Sequence, residues 1–255
     1  MRILVTNDDG IHGLGLVALE AMARGISDDV WVVAPDVERS GAGHSLTLSH
    51  PLRYRQIDKR HFEVTGTPTD CVAMAVRKIM PGLPDLLLSG VNRGQNIADD
   101  VTYSGTIAAA MEGTSLGIKS IALSQVTGMY GNGESFAVAS KHGSEIIAKL
   151  INMEFGVGVL MNVNFPDCRV DEVAGIDVTA QGKRDQNYLT VDERIDARGN
   201  TYFWLGFGRE RGTPPAGTDL AAVFNKRISI SPLHMNLTQI DGLVALRQVF
   251  KTKPQ

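Results

Sequence analysis

The chain predicts an α/β fold: a doubly wound, mainly parallel, Rossmann-like sheet with C-terminal β-hairpin extensions and a terminal helix. Three observations carry this. Through the first two thirds, short continuous apolar runs alternate with segments of helical period, the pattern of βα units whose strands are covered on both faces. After Pro166 the stretches become short and β-like, separated by Gly, Asp, Asn and Pro, which reads as hairpins rather than βα units. A last amphipathic run, with Leu243, Val244, Leu246 and Phe250 apolar, reads as a helix.

The elements follow in order. Ile3, Leu4 and Val5 form the first buried strand, Leu16 to Ala23 a helix, and Val30 to Ala34 (VWVVA) a second strand, completing a βαβ unit. Thr67-Pro68-Thr69-Asp70 has the pattern of a capping box: Thr as N-cap, Pro at the first helical position and an acid at the third. A helix is therefore expected through Met80, stopped by Pro81-Gly82. Asp85 to Ser89 is a strand, Thr106 to Leu116 a helix, Ile121 to Ser124 a strand, Phe136 to Ile151 a long helix and Leu160 to Phe165 a strand. Beyond them, Val173 to Thr179, Thr201 to Phe207 and Arg227 to Ile230 are β-like, Arg209 to Asp219 is an exposed loop, and Asp241 to Phe250 is the terminal helix. The expected organisation is an α/β core over 1–166 and hairpin extensions with the terminal helix over 167–255, the latter serving subunit contacts.

The bulk numbers narrow the function. With 255 residues, 43% of them hydrophobic, the chain can bury one large core. Its 25 Lys and Arg balance 28 Asp and Glu, unlike the basic excess of a dedicated nucleic-acid binder. Cys71 and Cys168 lie far apart among apolar residues, with no C-x-x-C spacing, and read as buried free thiols. No signal peptide and no apolar run of membrane-spanning length is visible, so the expectation is a cytoplasmic protein with no membrane contact.

Three loops, each after a strand, carry candidate chemistry, because loops after parallel strands emerge at one edge. The first holds Asn7, Asp8, Asp9 and Gly10. Adjacent carboxylates repel, and a hard divalent cation with oxygen ligands relieves them; the plain alternative is an Asp-Asp-Gly turn. The second, Pro35 to Ser45, is long and rich in Gly and Ser; Ser40 offers a hydroxyl to a metal or a phosphate, and His44 is the one histidine near the proposed site. The third, Ser89 to Asn96, supplies the amides of Asn92 and Asn96. Shortly after it, Ser104, Gly105 and Thr106 open an Ala-rich helix, whose free N–H groups and dipole suit an anion, although ordinary N-capping by Ser104 needs no ligand. Carboxylates, neutral oxygens and an anion-binding helix end together form the kit for metal-assisted attack on a phosphate ester.

One motif points elsewhere. Gly13-Leu14-Gly15-Leu16-Val17-Ala18 imitates the dinucleotide fingerprint, with Asp36 after the second strand, and would suggest a nicotinamide-dependent dehydrogenase. Its first glycine lies too far from the strand, however, and two carboxylates occupy the turn where a pyrophosphate would sit. No phosphate-loop motif, no G-x-S-x-G elbow and no H-E-x-x-H pairing is present.

The ordered motifs NDDG, PDVERSGAGHSLT, GTPTDC, SGVNRGQN and YSGT, with NVNFP, GTD and PLH further on, resemble the SurE family of metal-dependent 5'/3'-nucleotidases. The resemblance implies a doubly wound core with hairpin extensions that build homodimers and homotetramers. It implies hydrolysis of nucleoside monophosphates, with polyphosphate cleaved by some members. It also implies that Asp8, Asp9, Ser40 and Asn92 hold one divalent ion (Mg²⁺ or Mn²⁺, with Ca²⁺ as an alternative occupant), and that Asn96, Ser104, Gly105 and Thr106 contact phosphate. Asp8 and Asp9 are then the catalytic carboxylates. A reading from another class, a non-catalytic nucleotide sensor, uses the same anion pocket. Neither reading calls for a nucleic-acid duplex.

Overall fold

The computed structural model describes residues 1–128, 136–184, 189–207 and 213–252. Within them lies a nine-stranded sheet in the order β3-β4-β2-β1-β5-β6-β7-β11-β8 and a separate two-stranded sheet, β10-β9. The strands are β1 (Arg2–Thr6), β2 (Asp29–Pro35), β3 (Tyr54–Gln56), β4 (His61–Val64), β5 (Leu86–Arg93), β6 (Lys119–Gln125), β7 (Val159–Phe165), β8 (Ile176–Val178), β9 (Leu189–Ile195), β10 (Thr201–Phe207) and β11 (Ile228–His234). The helices are α1 (Leu14–Arg24), α2 (Pro68–Met74), α3 (Gly105–Ser115), α4 (Ala137–Ile151), α5 (Asp219–Phe224) and α6 (Ile240–Val249).

Alternation along the central strands feeds two cores. Ile3, Val5, Leu86, Leu88, Ile121 and Leu123 face α1 and α4, where Leu16, Leu19, Ile146 and Ile147 cover them. Leu4, Leu87 and Ala122 face the opposite side, against Val72 of α2 and Ile107, Ala109 and Ala110 of α3. Strands covered on both faces must be apolar at every position, which is why these runs are continuous.

Strands β4, β2, β1, β5, β6 and β7 are mutually parallel, while β3 and β11 run antiparallel to their core neighbours. From β1 the chain winds outward through β2 and β4, then returns to place β5 on the other side of β1. The winding direction therefore reverses between β1 and β5. A crevice opens outside the carboxyl ends of the strands at such a reversal, and ligands of open α/β sheets bind there.

Several elements differ from the sequence expectation. The β3–β4 pair between the second strand and the capping box was not foreseen; β3 is short and fully exposed, so it carries no hydrophobic alternation. The capping box forms as expected, but α2 ends at Met74 and continues as a π-helical turn over Ala75–Ile79. Of the stretches read as hairpin material, Val173 to Thr179 and Arg227 to Ile230 instead contribute β8 and β11, which extend the main sheet beyond β7. Among the described residues after Pro166, β9 and β10 form the hairpin. Part of the loop expected over Arg209 to Asp219 lies outside the described residues.

The imitation fingerprint has a packing explanation. A Cβ on Gly15 would lie 1.8 Å from the Val91 carbonyl oxygen, and one on Gly13 would lie 2.9 Å from Asn7 Nδ2. These glycines let α1 press against the carboxyl ends of β1 and β5. Gly15→Ala is accordingly expected to destabilise the protein by about 1–3 kcal/mol, the usual cost of overpacking. Urea denaturation measures this, and an unchanged midpoint would contradict the close approach.

Candidate functional site

The crevice is assembled from four segments. Asn7, Asp8 and Asp9 leave β1, and Asn92 and Arg93 end β5 beside it. The loop after β2 folds over them: the Arg39 N–H donates to the Asp8 carbonyl at 2.8 Å, and Ile11 N–H donates to the Pro35 carbonyl at 2.8 Å. Farther along the same loop, Gly43 N–H donates to the Tyr103 carbonyl at 3.1 Å, next to the start of α3. The loop is also tied to α2, because Asp70 accepts from both the N–H and the hydroxyl of Thr47, at 3.0 and 2.6 Å. The sequence-predicted loops therefore do converge.

The two carboxylates are held asymmetrically. Asp8 Oδ1 accepts from the Thr106 hydroxyl at 2.5 Å, and Asp9 Oδ2 accepts from the Arg93 N–H at 3.3 Å. Each carboxylate thus has one oxygen oriented by the protein. Burial drives the Asp8 carboxyl up to about 6; the Thr106 bond opposes this, while the charges of Asp9 and Glu38 add to it. Burial likewise raises Asp9, again with Glu38 adding to the effect and the Arg93 N–H opposing it.

Ser40 and Asn92 have defined partners. The Ser40 hydroxyl donates to Glu38 Oε1 at 2.8 Å, so its oxygen lone pairs face elsewhere. The Asn92 NH₂ donates to the Gly94 carbonyl at 3.0 Å, which leaves Oδ1 as the atom for a cation. Among the described residues, no three His, Cys, Asp or Glu side chains cluster closely enough to hold a metal. The predicted set depends instead on neutral oxygens from Ser40 and Asn92 beside the two carboxylates. One further observation suits a cation: Asn7 Oδ1 is buried without a hydrogen-bond partner. Gly105 lets α3 pack directly on Asp8, since a Cβ there would lie 2.8 Å from Asp8 Cβ and 3.1 Å from Asp8 Oδ2. All these donors are hard oxygens, of the kind Mg²⁺, Mn²⁺ and Ca²⁺ accept.

The residues expected to contact phosphate gather at the start of α3. Ser104 is the N-cap, and its Oγ accepts from the Ile107 N–H at 3.1 Å. Gly105 and Thr106 occupy the first two helical positions, whose N–H groups have no intrahelical acceptor. Thr106 spends its hydroxyl proton on Asp8, so its donor toward an anion is the backbone N–H. Asn96 is buried, and its NH₂ donates to Ser124 Oγ at 2.8 Å. His44 turns away to Glu112 of α3 at 3.2 Å.

Sequence reasoning missed Glu38, although it sits within the quoted PDVERSG run. A solvated acid in a loop gives no signal until its neighbours are known. It also assigned no task to Asp219, which is fully buried and accepts from the N–H groups of Ala98 and Gly182, at 2.9 and 2.8 Å. The GTD stretch quoted from the sequence was the available sign.

Comparison with known proteins agrees in direction. A family model described as survival protein SurE matches residues 3–188. The 5'-nucleotidase SurE of Methylobacterium radiotolerans is 55% identical over 252 residues, covering 98% of this chain and 99% of that protein. The 5'-nucleotidase SurE of Parvibaculum lavamentivorans is 56% identical over 257 residues, covering 100% of this chain and 93% of that protein. The crystal structure of a SurE protein from Aquifex aeolicus superposes with a TM-score of 0.82 at 39% identity, covering 98% of this chain and all of that one.

The buried carboxyl has a measurable consequence in metal-free protein. Its folded value, about 6, lies above the ordinary aspartate value of 3.8, so between the two the folded state holds a proton that the unfolded chain has lost. Stability should then fall as pH rises through that window, by about 3 kcal/mol at 1.36 kcal/mol per unit. Asp8→Asn removes this titration, so its stability relative to the parent should climb between about pH 4 and pH 7. Urea denaturation in EDTA at several pH values tests this; parallel profiles would refute the desolvated carboxyl.

Proposed function

The chain belongs to the SurE family, and on that premise we propose that it is a divalent-metal-dependent phosphomonoesterase, a 5'-nucleotidase that converts nucleoside monophosphates to nucleoside and phosphate. The observation that carries the reading is the pairing of two desolvated carboxylates with a helix N-terminus at the reversal between β1 and β5. Asp8, Asp9, Ser40 and Asn92 would hold the cation, which supplies Lewis-acid polarisation of the phosphoryl group and neutralises its charge.

The chain's own residues do the rest. The N–H groups of Gly105 and Thr106, the Ser104 hydroxyl and the second N–H of the Asn96 amide bind phosphate oxygens and stabilise the charge that develops on them. Asp8 and Asp9 orient the attacking water, and Asp8 would accept its proton. Phosphate release from a panel of 5'- and 3'-monophosphates and polyphosphate, with Mg²⁺, Mn²⁺ or EDTA, tests the reading. Release from 5'-monophosphates, lost in EDTA, is expected. Saturable nucleotide binding without release would favour the sensor. Asp8→Asn or Asp9→Asn should lower kcat by about 10²–10³-fold or more, the scale for one electrostatic group, while circular dichroism stays unchanged. Near-normal turnover in either variant would refute the site.

The same reading includes self-association. The β9–β10 hairpin presents Phe203, Trp204 and Leu205 to solvent, with Trp204 60% and Leu205 70% exposed. A two-stranded hairpin is marginal alone in water, and this one exposes apolar side chains on both faces, Phe203 and Leu205 on one and Trp204 on the other. A second copy of the chain would cover it, as a homodimer or homotetramer. Light scattering at micromolar concentration should return at least twice the chain mass; a monomer rejects this part. No helix of the described residues is long and apolar enough to cross a membrane. Cys71 and Cys168 are free and buried, which suits the reducing cytoplasm we assign.

A further inference from the structure

We propose that Asn162 and Asn164 are positioning residues for phosphate recognition, acting through the backbone of Asn96; the proposal rests on the phosphomonoesterase reading. Both asparagines are fully buried on one face of β7, an inner strand flanked by β6 and β11. A buried amide without partners costs a few kcal/mol, so their hydrogen bonds must be accounted for. Three of the four go to one peptide segment. Asn162 Nδ2 donates to the Asn96 carbonyl at 2.7 Å, and Asn164 Nδ2 donates to the same oxygen at 3.2 Å. Asn164 Oδ1 accepts from the Asn96 N–H at 2.9 Å. The fourth, from Asn164 Nδ2 to Asn162 Oδ1 at 3.0 Å, locks the pair together.

Asn96 is therefore gripped by its N–H and its C=O at once. Its own NH₂ is directed onto Ser124 Oγ at 2.8 Å, and Ser124 lies beside Asn164 in the β6–β7 register. Backbone position and side-chain rotamer are both set, leaving the second amide N–H for a phosphate oxygen. The segment is not part of a strand ladder. Its other holds include Gly94 N–H on the Gln125 carbonyl, Ala98 N–H on Asp219 and the Gln181 amide on the Ala98 carbonyl.

The adjacent polar groups provide the contrast. Ser229 and Ser231 of β11 stand opposite Asn164 and Asn162, and both hydroxyls bond Thr179, at 2.7 and 2.6 Å. That hydroxyl cluster is also buried, yet Thr179, Ser229 and Ser231 bond one another rather than Asn96. Burying polarity at this level of the sheet does not by itself require contact with the phosphate segment.

The test compares Asn164→Leu and Asn162→Leu with Thr179→Val. In the asparagine variants, KM for a nucleoside monophosphate and the dissociation constant of inorganic phosphate, by calorimetry, should both rise by about tenfold or more, with a smaller fall in kcat. Asn164→Asp keeps the acceptor for the Asn96 N–H and should recover part of the lost phosphate affinity; if Asn164→Leu does not fold, Asn162→Leu and Asn164→Asp carry the comparison. Thr179→Val should lower the melting temperature but leave KM and phosphate affinity unchanged. Asparagine variants that lose stability yet keep KM and phosphate affinity overturn the proposal, as does a Thr179→Val variant with the same loss of affinity. Wild-type protein that releases no phosphate refutes the catalytic reading, while the calorimetric comparison still decides this one. Wild-type protein that binds no phosphate overturns both.

Discussion

The constraint on which the rest depends is electrostatic: two neighbouring carboxylates stand at the end of a buried strand, with Glu38 adding a third negative charge nearby. Unit charges about 4 Å apart repel by about 4 kcal/mol at an effective dielectric near 20, and desolvation adds to this. The charge of Arg93 lowers the Asp9 carboxyl, against the larger effect of burial and the added repulsion of Glu38. The hydrogen bonds that orient the two carboxylates come from neutral donors, the Thr106 hydroxyl and the Arg93 N–H. Such a site is built to receive a counter-charge.

Holding that site open takes rigid surroundings, and the loops obtain rigidity from side chains. The loop after β2 has no strand partner over its length, so Asp70 and the carbonyls of Asp8 and Tyr103 anchor it. The segment after β5 is anchored by Asn162, Asn164, Ser124 and Asp219. Both anchor sets come from elements remote in sequence. Close approach does the remaining work: Gly15 admits the end of β5 against α1, and Gly105 admits Asp8 against α3.

What could be read from the chain follows from the range of the interactions involved. The central strands were legible because burial on both faces writes a continuous apolar run, and α2 because Thr67 and Asp70 write a local cap. The strand β3, exposed throughout, writes nothing. Strands β8 and β11 looked like hairpin material because Gly and Pro flank them; their pairing with the main sheet is decided by partners as far away as β7. Asp8, Asp9 and the Ser104-Gly105-Thr106 helix start stand out in the sequence as candidates and meet in the fold, whereas the surroundings of Glu38 and the grip on Asn96 exist only once distant segments meet.

Thr106 shows how the two halves of the crevice become one device. Its hydroxyl reaches Asp8, on the side proposed for the cation, while its backbone N–H stands at the opening of α3, on the side proposed for the anion. A shift of α3 along its axis would move both contacts together, so the separation between the two halves is fixed by a single residue rather than by two loops moving independently. The contact between Gly105 and Asp8 reinforces this, since any larger residue would push the helix away from β1. Positioning is where much of the catalytic advantage in phosphoryl transfer arises, because the chemistry itself asks little covalent participation of the protein. The close seating of α3 on the end of β1 is, on this argument, as much a functional feature as the carboxylates themselves.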